Sequence, residues 1–328
     1  MSVSTEAWCW YAKGEPTDLI LKSVELPSLQ EDDVLVENHV IGLNPVDWKM
    51  IEWGHPEWGP SHIPGVDGMG VITDIGSQVT HLKKGMRVCY HTDLARNGSF
   101  SRHTIVKAYA LMIVPEACSD YQAAAFPCPS LTAWQAFQKT PSLAGKKVLI
   151  NGAGGSVGNF LTQLLLTEGA EVYVTASPEH HEMLCRLGVK SAIDYRDADW
   201  KEKITLSCGE AFDAAFDMVS GKKAAELSHL LGYYAHLVAV QDRVEGNPIP
   251  PFTTCISLHE IALGAFHKFA KRSQIDELMN KGEYFLDRIA SGDVNLHPNA
   301  IESFDKLDQH LAQMKREHHY IKYLIRAR

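Results

Sequence analysis

No two cysteines of this chain stand as C-x-x-C, no block of basic residues interrupts it, and no apolar run approaches the 18 residues of a membrane-crossing helix. The seven cysteines (Cys9, Cys89, Cys118, Cys128, Cys185, Cys208 and Cys255) are odd in number and scattered, so reduced thiols are expected in place of a disulfide framework. Thirty-one Lys and Arg against 40 Asp and Glu give a net charge of −9, which argues against nucleic acid and against an anionic membrane as partners. The first residues lack the basic head and apolar stretch of a secretory signal, and a cytoplasmic location is expected. Repeats and low-complexity tracts are missing as well.

What is present is 328 residues, 45% of them hydrophobic and 22% charged, enough material for two domains. Up to about residue 115 the chain offers short β-rich runs, such as Asp33 to Ile41, Val71 to Ile75, His103 to Val106 and Leu111 to Val114, parted by Gly, Pro, Asn and Asp. From about residue 119 strands and helices alternate: Lys147 to Asn151, a helix with Val157, Phe160, Leu161, Leu164 and Leu165 on one face, Ala170 to Ala176, and a helix from Pro178 to Leu187. The runs Ser191 to Asp194, Phe212 to Val219 and Tyr234 to Val240 continue the alternation, which argues for a doubly wound parallel sheet. Two amphipathic helices, Gln274 to Ala290 and Ser303 to Lys315, precede a closing strand from Tyr320 to Ile325 that can pair back into the first domain. The expected domains are therefore 1–118, 119–268 and a return of 269–328 to the first.

The densest signal is Gly152-Ala-Gly154-Gly155-Ser156-Val157-Gly158 between the first strand of the alternation and its helix. Glycines at such a turn admit positive φ and clear Cβ atoms from the approach of a pyrophosphate, while the helix behind offers free N–H groups and the positive end of its dipole. A dinucleotide site is expected there. At the end of the second strand, where a carboxylate would hold a ribose 2′-hydroxyl, the chain has Ser177-Pro178-Glu179-His180. A hydroxyl and an imidazole accept a 2′-phosphate that a carboxylate repels, so NADP(H) is the expected cofactor; the plain alternative is that Ser177 caps the helix begun by Pro178.

Several motifs in order carry a resemblance: Gly42-Leu-Asn44-Pro45-Val-Asp47-Trp48-Lys49, Ile63-Pro-Gly65-Val66-Asp67-Gly68, Lys84-Gly85-Met-Arg87-Val88, Pro127-Cys128-Pro-Ser-Leu-Thr132-Ala-Trp134 and the glycine cluster. Together they resemble the zinc-independent quinone oxidoreductase branch of the medium-chain dehydrogenase/reductase superfamily over nearly the whole chain. The resemblance implies an α/β protein with a GroES-like β-rich catalytic domain, built from both chain ends, plus a Rossmann domain, with the cofactor in the cleft. It implies cofactor contacts from Thr132, Val240, the segment from Gly264 to Phe266, His180 and Tyr195, and a homodimer pairing through an edge strand within Ile256 to Leu263.

In the zinc-dependent branch so resembled, a Cys stands where this chain has Asn44 and a His where it has Val66; neither present side chain serves zinc, and no metal is expected. The pairs His180-His181 and His318-His319 are expected in helices, pointing apart. Reducing a C=C conjugated to a carbonyl leaves a delocalised enolate that hydrogen bonds can stabilise, so quinones and α,β-unsaturated carbonyls become the expected small-molecule substrates. At positions where the resembled family often has tyrosines stand Lys49, a candidate to stabilise an enolate oxygen, and His55, a candidate proton donor. Asn44 is expected to face the nicotinamide ribose or the substrate, Asp47 to cap a helix, and Cys128 to pack. Trp48, Trp53 and Trp58 suit either a flat pocket wall or the core. An NADPH-binding protein without turnover is the competing reading, and turnover of an enone panel separates the two.

Overall fold

The structure is a computed structural model that describes residues 3–296, 299–317 and 321–328. It divides into two units, Met1–Cys128 with Gly264–Arg328, and Pro129–Leu263. Where the sequence suggested boundaries at 118 and 268, the division falls ten residues later and five earlier.

In the first unit, β1 (Val3–Cys9) and β2 (Ile20–Leu26) form an antiparallel hairpin. β3 (Asp33–Gly42) leads into α1 (Pro45–Trp53), then β4 (Asp67–Ile75), β5 (Arg87–His91), β6 (His103–Lys107) and β7 (Leu111–Ile113). β3 pairs antiparallel with β4 from Val34 to Gly42 and with β6 from Asp33 to Glu37. α1 starts where Pro45 fixes φ at the first helical position, and it stops at Gly54, whose φ of +73° few side chains tolerate. α2 (Asp120–Ala125) opens on a capping box between Ser119 and Gln122 and packs on β3 and β4, which is why this segment belongs to the first unit. α3 (Pro127–Phe137) follows, and the division between units lies within it.

The second unit is a βα alternation: β8 (Lys147–Asn151), α4 (Ser156–Glu168), β9 (Glu171–Thr175), α5 (His181–Leu187), β10 (Ser191–Ile193), α6 (Trp200–Cys208), β11 (Phe212–Asp217), α7 (Gly221–Leu227), β12 (Leu231–Ala239) and β13 (Ser257–Glu260). All six strands run parallel in the order β10-β9-β8-β11-β12-β13. The chain winds outward from β8, returns beside it at β11, and winds outward again, so the reversal lies between β8 and β11. The buried, β-branched and aromatic content of these strands fits a sheet covered on both faces: Val148, Leu149, Ile150, Val172, Val174 and Phe216 are all below 5% exposure. Of the face its spacing predicts, α4 buries Phe160, Leu161 and Leu165 and leaves Val157 and Leu164 only partly buried, and it ends at Gly169 in the left-handed conformation.

Back in the first unit come α8 (Phe266–Phe269), α9 (Arg272–Ala290), β14 (Asn299–Ser303), α10 (Leu307–Glu317) and β15 (Lys322–Arg326). β15 pairs antiparallel with β3 and parallel with β14, so the closing strand does return to the first sheet. Three expectations need correction. The helix expected from Pro178 starts as a 3-10 turn and becomes α-helical only at His181. The helix expected from Ser303 begins after a strand the sequence reading did not foresee, β14, whose mostly polar and exposed residues give no core face to detect. The closing strand runs from Lys322 to Arg326; Tyr320 and the pair His318-His319 lie outside the described residues. No helix among the described residues is long and apolar enough to cross a membrane.

Candidate active site

In the second unit the glycine turn lies at the C-terminal end of β8, beside the topological reversal where open α/β sheets bind ligands. Its glycines do different jobs. Gly152 has φ +85°. A Cβ on Gly158 would stand 2.6 Å from the Gly152 carbonyl oxygen and 2.7 Å from Ala153 Cα, so α4 can press against the turn only without one. A Cβ on Gly154 would stand 2.6 Å from His180 Cδ2, which shows the imidazole lying against the turn. Gly155 is different: its φ of −80° and ψ of 168° suit any residue, and a Cβ would meet nothing nearer than 3.9 Å. Nothing described in this unit requires glycine there, whereas a pyrophosphate passing over this turn would. Gly155 is also the N-cap of α4, with no side chain capping the first turn that Ser156, Val157 and Gly158 begin. The residues present therefore fit a dinucleotide.

The ends of three neighbouring strands are tied together behind this turn. Thr175 Oγ1 donates to Asn151 Oδ1 at 2.5 Å and accepts from the Gly152 N–H at 3.3 Å, while Asn151 Nδ2 donates to Asp217 Oδ2 at 2.6 Å. Asp217 also accepts the N–H groups of Val219 and Ser220, each at 2.8 Å, and burial raises its carboxyl above the usual range. At the adenosine end, Ser177 is 1% exposed and precedes the turn Pro178–His180, while Tyr195 lies exposed past β10. Arg196 beside it is already held in a two-pronged pair with Asp194, so it is not a ready cation for a phosphate. Val240 follows β12, its N–H on the Asp217 carbonyl, and Thr132 is 9% exposed on α3.

In the first unit, Asn44 lies at the centre of a buried polar cluster. Its Nδ2 donates to the Gly42 carbonyl at 3.1 Å and to Asp67 Oδ2 at 2.8 Å, and its Oδ1 accepts from Lys322 Nζ at 2.5 Å. Lys322 Nζ stands 3.6 Å from Asp67 Oδ2, and the Cys128 N–H points at both Asp67 oxygens at 3.0 Å. Asp47 accepts the Asn44 N–H at 2.7 Å and the Val66 N–H at 3.1 Å, the capping role expected of it. Burial pushes the Asp67 carboxyl up to about 6 against the pull of Lys322, and pushes that of Asp47 up to about 8. The amide expected to face a ribose or a substrate thus has its hydrogen bonds committed inside the protein. Lys322 and Asp67 were missed as site residues; the one signal was a lone charge inside the apolar run Ile321 to Ile325.

Lys49, on α1, carries its ammonium 5.4 Å from the Trp48 ring centre and 5.9 Å from that of Trp53. His55 follows α1, its Nδ1 accepting the Glu57 N–H at 3.2 Å. Trp48 and Trp58 pack against the core and Trp53 is half exposed. Trp58 stacks on His62, with ring centres 4.2 Å apart, and donates to the Leu94 carbonyl. Phe266 is buried against His267 and His91. Burial pushes the His91 imidazole down to about 3. A base held neutral in the fold contributes stability that is whole above its unfolded value of 6.5 and is lost as pH falls. Relative to wild type, His91→Phe is expected to gain about 2 kcal/mol between pH 6.5 and about 5, read from urea midpoints at each pH.

Whether these residues suit zinc is decided by donor chemistry: Asn44 has an ammonium on its oxygen and Val66 an isopropyl group, so they do not fit. Among the described residues no three His, Cys, Asp or Glu side chains gather to hold a metal ion.

The chain matches the family models described as alcohol dehydrogenase GroES-like domain, over residues 30–116, and zinc-binding dehydrogenase, over residues 156–281. A quinone oxidoreductase of Mus musculus is 31% identical over 246 residues, 72% of this chain and 73% of that protein. A 2-methylene-furan-3-one reductase of Solanum lycopersicum is 27% identical over 320 residues, 89% of this chain and 79% of that one. A trans-enoyl reductase of Aspergillus terreus is 34% identical over 198 residues, 54% of this chain and 65% of that protein's own length. The solved quinone oxidoreductase of Coxiella burnetii superposes with a TM-score of 0.85 over 99% of this chain and 100% of that one, at 21% identity, a likeness of fold. A GroES-like unit, a doubly wound parallel sheet and these relatives together mark an oxidoreductase of the medium-chain reductase type. The chain belongs to the medium-chain dehydrogenase/reductase superfamily, in its quinone oxidoreductase-like branch. With that membership comes a pyridine nucleotide as cofactor.

Proposed function

We propose that the protein is an NADPH-dependent, zinc-independent reductase that delivers hydride to a quinone or to the C=C of an α,β-unsaturated carbonyl. The observation that carries this reading is the ammonium of Lys322 on Asn44 Oδ1, at the position where the zinc-dependent branch has a thiolate ligand. An ammonium and a divalent cation repel, and substrates whose reduced form delocalises its charge do not need a metal Lewis acid. The printed names of the relatives, quinone oxidoreductase, enoyl reductase and methylene-furanone reductase, agree.

Bound NADPH supplies the hydride. The glycine turn and the start of α4 hold its pyrophosphate, with Gly155 leaving the approach open; His180, Tyr195 and Ser177 are assigned to the 2′-phosphate, and Thr132, Val240 and Phe266 to the nicotinamide end. Lys49 stabilises negative charge as it grows on the substrate oxygen, and His55 holds the proton that quenches it. Asn44 acts from behind, as the residue that fixes the start of α1. β13 is the open edge of its sheet, with Leu258, Tyr234 and Phe252 exposed near it, and we read it as the seam of a cytoplasmic homodimer. A protomer of 36.4 kDa in sedimentation would remove that part of the reading.

Loss of NADPH absorbance is followed with benzoquinone, phenanthrenequinone, an alkenal and a simple aldehyde, then with NADH and with a chelator. Turnover of quinone or alkenal, preference for NADPH and indifference to chelator are expected. Tight NADPH binding with no turnover would replace the enzyme by a binding module, and stoichiometric zinc lost to chelator together with activity would overturn the metal-free chemistry.

A further inference from the structure

We infer that Lys322 is a positioning residue for the reduction: its buried ammonium fixes the side-chain amide of Asn44 and, through it, the start of α1 and the side chains that α1 presents. This rests on the reading of α1 given above. A lysine ammonium has donors and no acceptor, so it can meet an amide only at the oxygen. Lys322 Nζ on Oδ1 at 2.5 Å therefore decides which way Asn44 faces and turns Nδ2 to the Gly42 carbonyl and Asp67. With a neutral, non-donating side chain at 322 the amide loses that instruction.

What the amide holds is a junction of elements far apart in sequence. Asn44 is the N-cap residue of α1, and its backbone N–H is fastened by Asp47, whose other oxygen takes the Val66 N–H just before β4. Asp67 opens β4 and takes the Cys128 N–H at the start of α3, and Lys322 begins β15. Asn44, Asp47, Asp67 and Lys322 are all at most 5% exposed, so water cannot substitute for a lost partner. α1 carries Lys49 four residues after the first turn's Pro45, and its orientation follows from this junction.

Removing the lysine alone leaves Asp67 unpaired and obscures the point by destabilising the fold. The informative protein is Lys322→Met/Asp67→Asn, in which both charges go together. Its melting temperature and NADPH affinity are expected near those of wild type. With a quinone or alkenal, kcat falls about tenfold or more while KM changes less than about threefold, since the loss is in the reacting geometry. Amide exchange in residues 47–53 quickens about tenfold as α1 loosens. Lys322→Gln/Asp67→Asn keeps a donor for Asn44 Oδ1, is expected to recover part of kcat, and serves as the test protein if the methionine version does not fold. Wild-type kcat together with wild-type exchange in α1 would overturn the inference. If the wild-type protein reduces none of the substrates, it is the proposed function that has failed, and α1 exchange alone then decides the role of Lys322.

Discussion

Gly155→Val is expected to leave the second unit folded and to weaken NADPH binding by about a hundredfold or more, measured by fluorescence titration. The backbone conformation is an ordinary one and a Cβ there would meet nothing nearer than 3.9 Å, so the melting temperature should hold within a few degrees. Gly158→Ala makes the contrasting case. Its single methyl group would press to 2.6 Å on the Gly152 carbonyl and 2.7 Å on Ala153 Cα, both backbone, and α4 must move off the turn to make room. Both affinity and stability should fall, the latter by roughly 2–3 kcal/mol, in the range of overpacked cores. Equal NADPH affinity in wild type and Gly155→Val would mean that the pyrophosphate does not pass over this turn.

Lys322→Met alone should lower stability by roughly 3–5 kcal/mol, because it strands a carboxylate with 0% exposure. For a cooperative unit of this size that is roughly a 10 °C fall in melting temperature, read by calorimetry. Adding Asp67→Asn should return most of it, since the cost lies in the unpaired charge and much less in the lost attraction. A single variant as stable as wild type would show that Asp67 takes up a proton instead, a change that burial already favours by pushing its carboxyl up to about 6.

The two sites were unequally legible in the sequence. The dinucleotide turn is local: strand, glycines and helix follow one another from Lys147 to Glu168, and each glycine's reason lies within a few residues or in the next strand. The parallel, doubly wound sheet could be inferred because strands and helices alternate along this stretch, whereas the order of its strands could not. The cluster around Asn44 was half visible. Asn44, Asp47 and Asp67 sit in motifs that can be compared with a family, and Asp47 did cap the helix three residues behind it. Lys322 could not be placed, because its contact spans 278 positions and depends on how β15 is aligned on β3. β14 was invisible for a related reason: an edge strand with one partner and exposed side chains carries almost no periodic signal. The buried imidazoles of His62 and His91 are neutral core groups, which composition counts only as two more histidines.

The route of the chain through the sheets also sets an order of assembly. The second unit is one uninterrupted stretch, 129–263, and every strand of its sheet has been synthesised before α9 begins. The first unit cannot close at that stage: β3 still lacks β15, and Asp67 still lacks its ammonium. During synthesis the second unit is thus the early folder, while the half bearing Asn44 and Lys49 waits, half-built, for a strand translated long after its own core residues. A nascent chain stalled just short of β15, with the second unit clear of the ribosome, should already bind NADPH and yet remain open to protease in its first 128 residues.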